Sequence, residues 1–364
     1  MTNRNKLSPG DWVEVRSKEE ILRTLDSNGQ LDGMPFMPGM FQYCNKRFQV
    51  QKRAHKTCDP DCLSRSLDRT VHLETRCDGS AHGGCQAGCV HYWKEAWLRP
   101  VSGSHSQSSE RSSSQSTGGC TEEDVLRSAR PSVSPAGELT YVCQITQVQH
   151  IGKVLKYWDI RQYIEDYTSG NVRLSQILCG FIYSMYFSLS QAGIGVGPAM
   201  RWFYNKAYPL WRGSRWPREL GTIPEGQPTP TVSLKLQPGE LVRVKSHKEI
   251  LRTLNTGSKN RGLWWDAELV PYCGRTFRVL KSLTRNIDEK TGKMLEMKNP
   301  CIILDSVVCE ARYSPCRMFC PKKTYAYWRE IWLERIEEKP SAPAVHDRGE
   351  RENKASLVVI GQKN

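Results

Sequence analysis

The sequence of 364 residues lacks the short signatures of the commonest enzymes. It contains no G-x-x-x-x-G-K-[ST] phosphate loop, no dinucleotide fingerprint, no H-E-x-x-H and no G-x-S-x-G. The usual motifs for nucleotide, hydride, zinc-protease and hydrolase chemistry are therefore missing. No RNP-like or helix-turn-helix pattern marks a nucleic-acid reader. The opening MTNRNKLSPGDWVEVRS has no apolar run of the roughly 7–15 residues that a secretory signal needs, so a reducing, cytosolic setting without disulfides is the expectation. The glycine-rich GIGVGPA (193–199) follows an apolar segment and not a strand, and reads as a loop.

The composition is that of a soluble globular chain with some disordered segments, 38% hydrophobic and 25% charged, and its length implies two or three domains. Lys and Arg number 52 against 38 Asp and Glu, and the formal charge of +14 favours polyanionic partners: nucleic acid, anionic lipid or an acidic protein. Cysteine is abundant at 14 residues, which in a reducing compartment points to metal binding or redox chemistry, or to thiols buried as small hydrophobes. Cys143 and Cys179 stand alone among apolar residues and read as buried thiols, and Cys120 in a polar stretch reads as incidental.

The chain repeats itself. LSPGDWVEVRSKEEILRTL (7–25) matches LQPGELVRVKSHKEILRTL (236–254), and the match runs on to YCNKRFQV against YCGRTFRV, with 18 of 47 aligned positions identical. CQAGCVHYWKEAWL (85–98) then matches CRMFCPKKTYAYWREIWL (316–333). Each copy predicts a Pro-Gly turn, an alternating strand, a serine cap and a short amphipathic helix. Further strands are expected at Arg47–Gln51, Thr70–Glu74, Thr276–Leu280 and Cys301–Asp305. The middle predicts a strand over 138–151, a helical stretch over 158–189 with a turn at Ser169-Gly170-Asn171, and an uncharged segment from Leu174 to Met200. Four serines, two glutamines, four glycines and a proline make that segment marginal as a membrane span; a helix buried on the β units and an in-plane membrane contact are the other readings.

The expected fold class is α+β, with two small SH3-like β-barrel units flanking a mainly helical middle. The domains are a first cysteine-bearing unit at 1–100, a Ser-rich linker at 101–137, the middle at 138–230, a second cysteine-bearing unit at 231–338 and a tail at 339–364. PGDWVEVRS resembles the first strand of SH3-like barrels, and the closing W-x-x-x-W-L is similar to such a barrel's last strand. The chain also resembles a group of bacterial proteins carrying the same duplicated PGDxVEVRS…YC…WKEAWL pattern. That resemblance implies no particular activity.

Four cysteines coincide between the copies: Cys44 with Cys273, Cys77 with Cys309, Cys85 with Cys316 and Cys89 with Cys320. Four thiolates suit a tetrahedral zinc site or an iron–sulfur cluster. Copy one adds Cys58, Cys62 and His82, and copy two adds Cys301. Two ligand sets stay open in copy one: Cys44 with Cys77, Cys85 and Cys89, or Cys58 in place of Cys44. Glycines 79, 83, 84 and 88 suit a chain wrapping a metal, or an ordinary loop; they do not recur. A Cys–His nucleophile pairing Cys85 with His82 or His72 is a further alternative. The matched Glu95 and Glu330, beside Lys94 and Arg329, read as solvent-facing charges between buried tryptophans. Trp264 and Trp265 offer stacking surface for single-stranded nucleic acid.

The expectation from sequence is a non-catalytic accessory or interaction protein stabilised by zinc, with a protein partner, cytoplasmic or membrane-associated. An iron–sulfur or open-zinc-site enzyme and a nucleic-acid binder are the alternatives, and residues 174–200 are the candidate peripheral membrane contact.

Overall fold

A turn at Pro9-Gly10, where Gly10 takes a φ of 96°, leads the chain into strand β1 (Trp12–Val15). The computed structural model describes residues 6–61, 63–101, 119–133, 137–211 and 215–337. Cys62, most of the Ser-rich linker (102–118) and the tail at 339–364 lie outside the described residues. Val13 and Val15 of β1 point inward, as a period of two requires of a half-buried strand. Ser17 then caps helix α1 (Lys18–Leu22) in a reciprocal capping box with Glu20. Strands β2 (Arg47–Arg53), β3 (Thr70–Arg76), β4 (Val90–Lys94) and β5 (Leu98–Pro100) complete a five-stranded antiparallel sheet of order β4-β3-β2-β1-β5. A 3₁₀ turn, Glu95–Trp97, reverses the chain between β4 and β5 and drops Trp97 into the core.

The middle holds α2 (Glu122–Ser128), α3 (Gln144–Gln147), α4 (Arg161–Thr168), α5 (Leu174–Ser190) and α6 (Gly197–Ala207). The alternation over 138–151 yields a strand only at Leu139–Thr140. Side-chain hydrogen bonding overrides the rest. Thr146 Oγ1 accepts from the Cys143 N–H at 3.0 Å, starting α3, and Gln144 then acts as an extra strand residue for β4. Its Oε1 accepts from the Tyr92 N–H at 2.9 Å and its Nε2 donates to the Tyr92 carbonyl at 2.9 Å. The expected turn at 169–171 does separate α4 from α5, and Asn171 docks it on β2 by pairing with both backbone groups of Arg53 at 2.9 and 2.7 Å. Only one face of α5 is buried, through Ile177, Gly180 and Tyr183, whereas Leu178, Ile182, Met185 and Leu189 face outward. Cys179 on the same helix is exposed, contrary to expectation, and Cys120 is buried in the core of the first unit. Among the described residues no helix is long and apolar enough to cross a membrane. The glycine-rich stretch is a loop only up to Val196, since Gly197-Pro198 opens α6.

The second unit repeats the first with β6 (Leu241–Val244), α7 (His247–Leu251), β7 (Thr276–Ile287), β8 (Met294–Val308), β9 (Tyr325–Trp328) and β10 (Leu333–Arg335), in the order β9-β8-β7-β6-β10. The whole is a mixed α+β structure of antiparallel sheets. Duplication reaches single interactions. Trp97 Nε1 donates to Thr24 Oγ1 at 3.1 Å and Trp332 Nε1 to Thr253 Oγ1 at 2.9 Å. Phe36 meets Trp97 edge-on at 5.1 Å, and Trp265 meets Trp332 the same way at 5.1 Å. Trp265 is thus a core residue and only Trp264 is exposed. Glu95 and Glu330 are not solvent-facing charges: each accepts the backbone N–H of a leucine, Leu7 at 3.0 Å and Leu236 at 2.9 Å, that leads into its unit's first strand.

The units pack reciprocally through the connection between their second and third strands. In the first unit that connection is a hairpin, Lys56–Cys58 with Ser64–Ser66, whose Ser64 Oγ donates to the Cys316 carbonyl of the second unit at 3.0 Å. In the second unit it is the long β7–β8 hairpin. Its Arg285 carbonyl accepts from the Gln86 N–H of the first unit at 3.1 Å, and its Gly292 carbonyl from the Tyr141 N–H at 2.8 Å.

Truncating either closing tryptophan, Trp97→Ala or Trp332→Ala, is expected to cost about 3–5 kcal/mol. Thr253→Val, which strands a buried indole N–H, is expected to cost about 1–3 kcal/mol. Urea unfolding followed by fluorescence measures both.

Candidate functional site

Each unit's cysteine loop is built by backbone conformation before any side chain is considered. Gly79 has a φ of 78°, and a Cβ there would collide with the Cys85 carbonyl. The matched residue in the second unit, Ala311, keeps a φ of 51°, and Phe319, matched to Gly88 (φ 63°), keeps 60°. The loop conformation therefore persists where its glycines do not, at the cost of left-handed strain in the second copy.

In the first unit this loop gathers Cys77, Cys85 and Cys89 around a small cavity of about 40 Å³. The fourth cysteine lining it is Cys143, delivered by the N-terminus of α3, together with His82 and His91. Neither Cys44 nor Cys58 takes that place. Cys44 packs against the core of the first unit, and Cys58 has crossed to the second unit. Burial drives the thiols toward the protonated form: Cys77 is pushed up to about 11, Cys89 well above the usual thiol range, and Cys143 is raised too. The Ile287 N–H of the β7–β8 hairpin donates to Cys85 Sγ at 3.5 Å.

The second cluster is built similarly, although a different cysteine of its loop accepts the incoming N–H. The Cys58 N–H donates to Cys320 Sγ at 3.2 Å, just as Ile287 does to Cys85. A hydrogen bond from the Cys58 thiol holds Cys320 down at about 7 while Cys58 itself is driven up. Cys309, raised by burial to about 12, is near enough to act electrostatically on both. Cys316 is exposed at the rim. Cys273 packs against the core of the second unit and is raised to about 12 by burial, and Cys301 packs beneath β9 with Arg329 Nη1 at 3.4 Å from its sulfur. All 13 described cysteines are free thiols. Among the described residues no three or more His, Cys, Asp or Glu side chains are arranged so as to hold a metal ion.

A nucleophilic cysteine needs a thiolate and a base titrating near neutrality. His82 Nδ1 lies 3.9 Å from Cys77 Sγ, but burial raises that thiol and lowers that imidazole, so the pair is neutral in both members. His72 is buried, lowered to about 4, and its Nδ1 faces the His91 carbonyl at 3.0 Å. The electrostatics of the loop oppose Cys–His catalysis.

Beside the second cluster, Lys56 buries its ammonium completely. Nζ donates to Asp166 Oδ2 at 2.6 Å, to the Met318 carbonyl at 2.8 Å and to Gln162 Oε1 at 3.3 Å, joining the first unit, α4 and the second unit at one point. Burial lowers the Lys56 pKa, opposed by the Asp166 charge. His55 Nε2 lies 3.3 Å from Asp166 Oδ1 on the other side.

The middle helices and the second unit also bound a cleft of about 1200 Å³, lined by α5, α6, α7 and the loops at 270–275 and 309–323. No family model matches the chain, and no curated protein matches it.

Asp166→Ala leaves the Lys56 ammonium buried and unpaired, and is expected to cost about 3–5 kcal/mol; Lys56→Met with Asp166→Leu should recover most of that loss. Chemical denaturation of the single and double variants checks this.

Proposed function

We propose that the chain is a non-catalytic accessory or interaction protein of two SH3-like units, stabilised by zinc held at the two thiol clusters. The observation that carries this reading is the gathering of Cys77, Cys85, Cys89 and Cys143 on one cavity, four soft donors with no carboxylate among the cavity's residues. The second cluster, with Cys58 beside Cys309 and Cys320, supports it by repetition. The strand order β4-β3-β2-β1-β5, with a 3₁₀ turn before the last strand, supports the SH3-like description of each unit. Zinc would require the thiols to deprotonate and rotate inward. It would then contribute folding free energy, because the ligands come from separate segments that only the folded chain brings together. In the first cluster the raised Cys77 thiol and the lowered His82 imidazole weigh against a Cys–His nucleophile there.

The test is metal analysis of protein purified anaerobically under reducing conditions. One zinc per thiol cluster, with Cys143→Ser losing one zinc and melting at lower temperature, is the expected result. Protein without metal removes the proposal, and iron with visible absorbance replaces zinc by a cluster.

A further inference from the structure

The large cleft, one edge of which reaches Cys309 and Cys320 of the second thiol cluster, has a charge and an apolar border that the clusters do not explain. Six cations line it, Lys52, Arg215, Lys248, Arg275, Arg312 and Lys323, against one carboxylate, Glu310, which pairs with Arg312 at 3.8 Å. Among the described residues Lys248, Arg215 and Lys323 have no carboxylate within ion-pair distance. Lys52 has its pKa lowered by burial and by Lys323, two lysines repelling each other across the same space. His247 also lines the cleft. It is 5% exposed, and neither ring nitrogen has a hydrogen-bond partner. Glu219, whose charge acts on it, accepts instead from Asn205 Nδ2 at 2.8 Å. A buried imidazole without partners beside unpaired cations is costly unless a polar ligand meets it.

The cleft is too large for a small inorganic anion, at about 1200 Å³, and aromatic rings line it, among them Tyr183, Tyr204 and Phe319. One side is formed by α5 and α6, whose outer faces are apolar. Ile182 is 61% exposed and Phe203 58%, and both also line the cleft, while Met185, Leu189 and Trp202 continue the apolar surface outward. An apolar face with a tryptophan, bordered by cations and too short to span a bilayer, has the character of an interfacial membrane element. We infer that this cleft is an anionic-phospholipid site: the cations and His247 take the phosphate headgroup, and the outer face of α5 with Trp202 lies in the interface. The charge of the whole chain, +14, draws it toward such a surface.

Co-sedimentation of the full chain with phosphatidylcholine vesicles, with and without phosphatidylglycerol, tests this. Binding only to the anionic vesicles, weakened by salt, is expected. Lys248→Gln with Lys323→Gln should weaken it about twenty-five-fold, at about fivefold per basic residue. Met185→Ser with Leu189→Ser, on exposed positions, should weaken it while leaving the circular-dichroism melt unchanged. Equal binding to both vesicle types, or to neither, overturns the proposal. So does anionic-vesicle binding that survives both double variants, or an oligonucleotide that displaces the vesicles where soluble glycerol phosphate does not.

Discussion

The Lys56 ammonium is the point on which the arrangement of the two units turns. A fully buried cation is tolerable only where its charge and all its donors are met, and here the three acceptors come from separate places. Asp166 and Gln162 lie on α4, the Met318 carbonyl lies in the second unit, and Lys56 itself opens the hairpin of the first. None of the three parts can move away without leaving a charge unpaired in the interior. Asn171, three residues past the end of α4, fixes the α4–α5 turn to β2, so the helix carrying Asp166 is also held just beyond its C-terminus.

Around this point the duplication becomes an exchange. Each unit sends its second-to-third-strand connection against the other's cysteine loop, and in each case a backbone N–H from that connection points at a sulfur of the loop. The two contacts differ in which residue arrives. Cys58 brings a thiol, whereas Ile287 brings only its backbone, and there the extra thiol comes from Cys143 on α3. Each three-cysteine loop therefore receives its fourth sulfur from outside its own unit. If zinc binds, it binds across the joints of the fold.

Much of this was legible in the sequence because the repeat preserves residues whose roles are local. The serine cap with its glutamate is decided within a few residues, and the paired tryptophans, whose threonine partners lie far along the chain, recur because both ends of the contact are duplicated. The fourth sulfurs were only half legible: Cys58 stood as a candidate ligand, but for its own unit and not for the other, and Cys143, which has no counterpart between the copies, read as a lone buried thiol. Period-two alternation over 138–151 misled for a different reason: Gln144 satisfies a strand edge with its side chain, which pattern alone does not reveal. Glu95 and Glu330 looked like surface charge because their partners are backbone N–H groups of a distant segment. The amphipathic division of α5 was hidden by a run apolar on nearly every side.

Calorimetry of the full chain tests the central claim, that the two units and the helical middle form one body locked at Lys56. A single transition whose calorimetric and van't Hoff enthalpies agree is the predicted result. Two resolved transitions, left unshifted by Asp166→Ala, would contradict it.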